Sequence, residues 1–320
     1  VSADAPGRAV SADAPGRAVS AHAPRRRGWR PSWLDLLLLA LVAAAAGVVA
    51  WRIEHHLNYR FRWDSVPGFL VRQDAATGRW VPNLLLAGLL TTLRLTFWAS
   101  LLAGAVGLVV GLMSASGRLL PRLLARTYVE SIRNVPNLVF LFVFYYFVSA
   151  QLMPALGIEA WARAASPATR EAIAWLAGPP ALLGNFAAGV LCLAMLEAAY
   201  VAEIVRAGIQ AVPRGQWEAA ATVGLSRTAT LRDVVLPQAV GRVLPPLAGQ
   251  FISLVKDSSL VSIISIQELT FIANEVTVST GRVFEVWLTA AALYFLPCLA
   301  LSLAFRRWER RARRGASHPS

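Results

Sequence analysis

Charge is scarce in this chain. Only 15% of its 320 residues are Asp, Glu, Lys or Arg, where a soluble globular domain carries about 25%. With 56% of the residues apolar, one water-soluble core cannot absorb the composition, and the exclusion points to a bilayer. Cysteine is almost missing: Cys192 and Cys298 both lie inside apolar runs, so no disulfide framework is expected. The four histidines, His22, His55, His56 and His318, stand outside the long apolar runs. The adjacent His55-His56 pair makes a poor metal site, so neither a metal nor a cofactor is expected. No Gly-x4-Gly-Lys-Ser/Thr phosphate loop and no nucleophile–base constellation occur. The chain is therefore not expected to be an enzyme, and any ATP hydrolysis belongs to a partner.

What is abundant is apolar length. Six runs, at 34–51, 84–113, 128–148, 181–204, 243–266 and 284–305, approach or exceed the ~20 residues a helix needs to cross a bilayer. The expected class is all-α, a polytopic helical membrane protein of about six transmembrane helices. The net charge of +13 is no sign of nucleic acid, because the arginines cluster beside the apolar runs, where they set orientation. With the first segment inside, alternate loops hold twenty Lys and Arg on the cytoplasmic side against eight outside. That bias predicts a multi-pass protein with both termini cytoplasmic.

Residues 1–27 repeat a nine-residue unit twice and then decay; Ala, Pro, Gly and charge dominate it, too little apolar surface to offset ordering. A disordered cytoplasmic tail is expected over 1–33. A first transmembrane helix and outer loop follow at 34–83, then the main transmembrane domain at 84–311 and a basic tail at 312–320.

Ionised side chains inside apolar runs each need an explanation. Glu197 lies mid-run, with Tyr200 three residues on and so on the same helical face. An acid there can neutralise a substrate's ammonium group, or be protonated, or pair with Lys256 or Arg94. Lys256 and Asp257 read as a structural pair anchoring a broken helix, with Ser258 and Ser259 marking the break and a backbone lining a pathway. Glu130 with Arg133 and Glu203 with Arg206 read as local i,i+3 pairs.

Between the fourth and fifth runs stands Glu218-Ala219-Ala220-Ala221-Thr222-Val223-Gly224, then nine residues, then Val234-Val235-Leu236-Pro237. Gln216 to Val223 is expected to form a short helix. Its small alanines can press into a partner's groove, Gly224 supplies the left-handed end, and Leu236-Pro237 marks a break before the next span.

Those residues carry a resemblance. The Glu-Ala-Ala segment is joined by Thr92-Leu93-Arg94-Leu95, Tyr128-Val129-Glu130-Ser131-Ile132-Arg133-Asn134-Val135-Pro136 and Ala202-Glu203-Ile204-Val205-Arg206-Ala207-Gly208-Ile209. Phe251-Ile252-Ser253-Leu254-Val255-Lys256-Asp257-Ser258-Ser259-Leu260 and Phe284-Glu285-Val286-Trp287 complete the set. From 89 to 311 the chain resembles permease subunits of polar amino-acid ABC importers, the histidine/glutamine/glutamate/arginine family. Val234 departs from the usual Ile, and the outer segment 149–182 is longer than in the shortest members. The resemblance implies an inner-membrane helical core that translocates a polar L-amino acid. It makes Glu218, Ala219, Ala220, Gly224, Leu236 and Pro237 the coupling loop to a separate ATPase in two copies. It further implies a second permease, identical or sibling, and an extracytoplasmic binding protein. The rival readings are a stand-alone secondary transporter or channel, and a membrane anchor or sensor that docks a cytoplasmic protein.

Overall fold

The computed structural model describes residues 32–56 and 59–316; the repeat-bearing tail lies outside the described residues. The chain divides into two units at Arg60/Phe61. The first holds α1 (Trp33–His56), whose apolar part is Trp33–Val49. The leucines from Leu34 to Leu41 are exposed on every side of α1, which suits a lipid-facing helix.

The second unit opens with a small outer structure. A 3-10 turn (Trp63–Ser65) leads to α2 (Val66–Leu70) and an antiparallel hairpin, β1 (Val71–Gln73) with β2 (Trp80–Pro82), in register Arg72 to Val81. It belongs with the helical bundle rather than with α1, contrary to the expected grouping of 34–83. The reason is local: the Arg62 amide donates to buried Glu285 at 2.6 Å, and Phe61 packs on Phe284 at 5.8 Å.

The bundle is built on α3 (Leu84–Ala115) and α9 (Leu183–Gln210). Leu95, Ala99, Ala103, Gly107 and Gly111 recur every four residues along α3 and are all buried. They meet Ala194, Ala198, Val201, Ala202 and Val205 of α9. Side chains this small let two backbones approach closely, the device by which helices associate where lipid removes the hydrophobic drive. Thr92 is fully buried and α3 is one continuous helix.

The third run is displaced. Its first part is α4 (Leu119–Arg133), a separate amphipathic helix ending at Asn134. Pro136 disfavours helix at the residue before it and restarts the chain as α5 (Asn137–Phe144). A π-helical turn (Tyr145–Ser149) and α6 (Ala150–Ala155) continue it, with α7 (Ile158–Ala164) completing the apolar stretch. The outer segment then adds α8 (Pro167–Leu176), capped by Ser166 accepting from the Thr169 amide.

After α9 come α10 (Arg214–Thr222), the single turn α11 (Arg227–Ala229), and a π-helical stretch (Thr230–Val235) that runs straight into α12 (Leu236–Asp257). Leu236-Pro237 is therefore not a break in the helix. Proline lacks an N–H, and in the first turn of α12 none is needed; the change falls in the hydrogen-bond register just before it. At Ser258 the helix tightens to 3-10 geometry as far as Ile264, and Ser265 adopts φ 61°, so Ser258-Ser259 do mark a change of helix type. The stretch 267–283, expected as loop, contains α13 (Leu269–Thr280), whose Leu269, Ala273 and Val276 pack on α14 (Val283–Ala316) and α3. Short length hid it in the sequence.

Among the described residues five helical stretches are long and apolar enough to cross a membrane. The sixth expected span is α1, whose apolar part is shorter. α14 runs through Ala316, past the start expected for the basic tail.

Candidate functional site

Two places gather the residues singled out in the sequence. The first is mid-bundle. Glu197 on α9 is buried, and the Gln250 amide of α12 donates to its carboxylate at 2.5 Å. Both line a cavity of about 340 Å³ walled by Gly104, Leu247, Phe251, Phe305 and Trp308. A buried carboxyl tied to an amide and facing an otherwise apolar cavity can receive an ammonium group without a large rearrangement.

Neither suggested partner is used, since among the described residues no ion pair joins Glu197 to Lys256 or Arg94. Tyr200 turns away from the cavity: its hydroxyl donates to Asn137 on α5 at 3.2 Å, under the Arg133 guanidinium 5.9 Å from the ring. Lys256 is exposed, and Ser258 is buried with its hydroxyl returned to the Val255 carbonyl at 2.7 Å. The Ser259 carbonyl accepts from Ser262. Gln250 was missed in the sequence; its signal, a lone amide inside an apolar run, is weak.

The surface pairs divide. Glu203 with Arg206 forms as expected, but Glu130 with Arg133 does not. Arg133 crosses to Glu203 at 3.8 Å, while Glu130 takes Arg126 and Asn134. α4 is tied to α9 by the Tyr128 hydroxyl, which donates to the Met195 carbonyl at 2.6 Å, and α9 offers Arg133 the better partner.

The second place is the loop after α9. Gly224 takes φ +80°, and the Leu225 amide reaches the Ala220 carbonyl at 3.1 Å, closing α10 in the manner expected of a glycine terminus. Glu218, Ala219 and Ala221 are exposed while Ala220 is buried. Beneath them Val212, Val235 and Ala239 form an apolar core with Trp217, and Gln238 donates to Gln216 at 3.1 Å. Arg242 binds the Ala211 carbonyl. α10 is thus fixed to both α9 and α12, so force on its outer face passes into both helices. Val223 stays 75% exposed at its tip.

Residues 107–314 match the family described as the inner-membrane component of binding-protein-dependent transport systems. The chain belongs to that family. It is the transmembrane permease subunit of an ABC importer, a transport component whose family works with an ATPase and a substrate-binding protein. Membership favours this over a stand-alone transporter or a sensor. The permease is 36% identical over 226 residues to the probable glutamine ABC transporter permease protein GlnP of Bacillus subtilis (strain 168), covering 69% of this chain and 90% of the relative. It is 33% identical to the L-cystine transport system permease protein TcyB of the same organism, over 71% of this chain and 86% of that one. Among solved structures, an amino acid ABC transporter with histidines matches with 37% identity and a TM-score of 0.57, over 71% of the permease and 94% of that chain.

Proposed function

We propose that this permease translocates a polar L-amino acid across the cytoplasmic membrane, with Glu197 receiving the substrate's ammonium group. The observation that carries the reading is the buried Glu197 carboxylate on the cavity wall, bonded to Gln250. Relatives described as glutamine and L-cystine permeases agree with that substrate class. Asp257, Ser258 and Ser259 stand where α12 changes to 3-10 geometry, and like Tyr200 and Lys256 they lie outside the cavity lining.

Glu218, Ala219, Ala220 and Gly224, with Leu236 and Pro237 behind them, form the coupling element, facing the cytoplasm as the Lys and Arg distribution requires. The exposed alanine face and Val223 tip enter a groove on the ATPase. Closure of two ATPase copies rocks α9 and α12 about the Glu197 cavity, in an assembly with a second permease, identical or sibling, fed by an extracytoplasmic binding protein.

The test is reconstitution in proteoliposomes with the co-purified ATPase and binding protein. Glu197→Gln is expected to abolish ATP-driven amino-acid uptake while the ATPase remains bound, and Glu218→Ala to weaken ATPase retention. Loss of assembly in Glu197→Gln would make that residue structural. An unchanged ATPase yield in Glu218→Ala would remove the coupling role.

A further inference from the structure

Arg94 lies on the wall of a second cavity, and among the described residues no ion pair reaches it. It is the eleventh residue of α3, roughly 15 Å along the helix at 1.5 Å per residue, where a cation is costly unless it is paired or faces a polar cavity. Arg133 and Arg206 both reach Glu203. Among the described residues no carboxylate is in ion-pair contact with Arg94. It lines a cavity of about 190 Å³ with Thr91, Asn185, Phe186, Ile266 and Gln267. That volume holds about six waters at ~30 Å³ each, the bulk of a small amino acid.

The charged and amide groups on this cavity's wall are Arg94, Asn185 and Gln267. Asn185 donates to the Ser265 carbonyl at 3.0 Å, and the exposed Gln267 amide lines the cavity together with the Arg94 guanidinium. Glu268, next in sequence, is held elsewhere: it accepts from the Tyr294 hydroxyl at 2.5 Å and the Phe271 amide at 2.8 Å. The lining contains no carboxylate.

Position matters as much as charge. Gly189 of α9 packs on Leu95 and Ile266, and Glu197 lies eight residues further, about 12 Å along the helix. Leu95, Ala99, Phe186, Leu193, Ile264 and Ile266 fill the interval as one buried apolar cluster. From the end remote from α10 the order is cation cavity, apolar layer, carboxylate cavity. We infer that the Arg94 cavity is a second binding site. It takes the carboxylate of a free amino acid at the end remote from α10, before the molecule crosses the apolar layer to Glu197. This rests on the importer reading above.

The test is equilibrium dialysis of the nanodisc-held complex, without binding protein, against an equimolar mixture of the common L-amino acids and their α-amides, read by mass spectrometry. Wild type and Glu197→Gln should retain acids over amides. Arg94→Gln should lose that preference by about tenfold, the loss of one charge-assisted contact, and Arg94→Lys should keep part of it. An undiminished preference in Arg94→Gln overturns the inference, and so does its equal loss in Glu197→Gln, which would mean one site. So does unchanged acid binding with bound phosphatidylglycerol lost only from Arg94→Gln, which would assign the cation to lipid. If Arg94→Gln does not assemble, Arg94→Lys decides: a retained preference supports the site and a lost one overturns it. ATP-driven uptake by the wild-type complex with binding protein tests the importer reading separately. Absence of uptake overturns that reading, whereas normal uptake without an Arg94-dependent preference overturns this one alone.

Discussion

Gly107→Ala is expected to destabilise the permease although alanine is the better helix former. A methyl group at Gly107 would sit 2.5 Å from Val201 Cβ, 2.6 Å from Val201 Cγ1 and 2.9 Å from the Ala198 carbonyl oxygen. Ordinary contacts between such atoms are near 3.5–4.0 Å, so α3 and α9 must part by roughly 1 Å. Moving Val201 to another rotamer cannot relieve this, because its Cβ and a backbone carbonyl are themselves in the way. Overpacking of this kind costs about 3 kcal/mol at its upper range. Helix propensity returns about 1 kcal/mol, leaving a net loss of about 2 kcal/mol. For a domain of this size that lowers the thermal midpoint by roughly 4–8 °C. The assay is a fluorescence melt of the purified complex in detergent, with Gly104→Ala as control. Gly104, three residues earlier, has nothing within 4 Å of its added methyl and should melt within about 2 °C of wild type. A Gly107→Ala midpoint at or above that of Gly104→Ala would refute the close-packed α3/α9 seam.

Three further perturbations have expected outcomes. Gly224→Ala must hold an L-residue at φ +80°, a cost of about 1–2 kcal/mol confined to the end of α10; ATPase retention in a pull-down should fall while the melt of the membrane core moves little. Glu285→Ala removes the acceptor of the Arg62 amide, a loss of about 1–3 kcal/mol, so trypsin should cut at Arg72 and Arg79 faster than in wild type. Tyr294→Phe deprives the buried Glu268 of its 2.5 Å donor. It should lower the midpoint by an amount equivalent to about 1–3 kcal/mol, measured in the same fluorescence melt, and Tyr294→Gln, which restores a donor, should recover part of it.

How far the sequence could be read depended on the range of the interaction. α10 and its glycine terminus were legible because a capping glycine and three small alanines act on neighbours within a few residues. Apolar length likewise located α3, α9 and α14, since spanning a bilayer is a condition on one segment at a time. α13 was taken for loop because at 12 residues it is too short to announce itself and is held by Glu268 and by packing on α3 and α14. Leu236-Pro237 was taken for a break because proline in a first helical turn looks, in sequence, like proline after a last one.

By itself, then, the sequence determined the class, the short helix α10 and the family, all consequences of local composition and of spacing along one chain. Only the tertiary structure decided which charges meet. It paired Glu197 with Gln250 rather than with Lys256 or Arg94, sent Tyr200 to Asn137, and left Arg94 facing a cavity without a carboxylate. The physical reason is that a buried charge is satisfied by whichever group packing brings within about 3 Å, and groups more than fifty residues apart become neighbours only when helices cross.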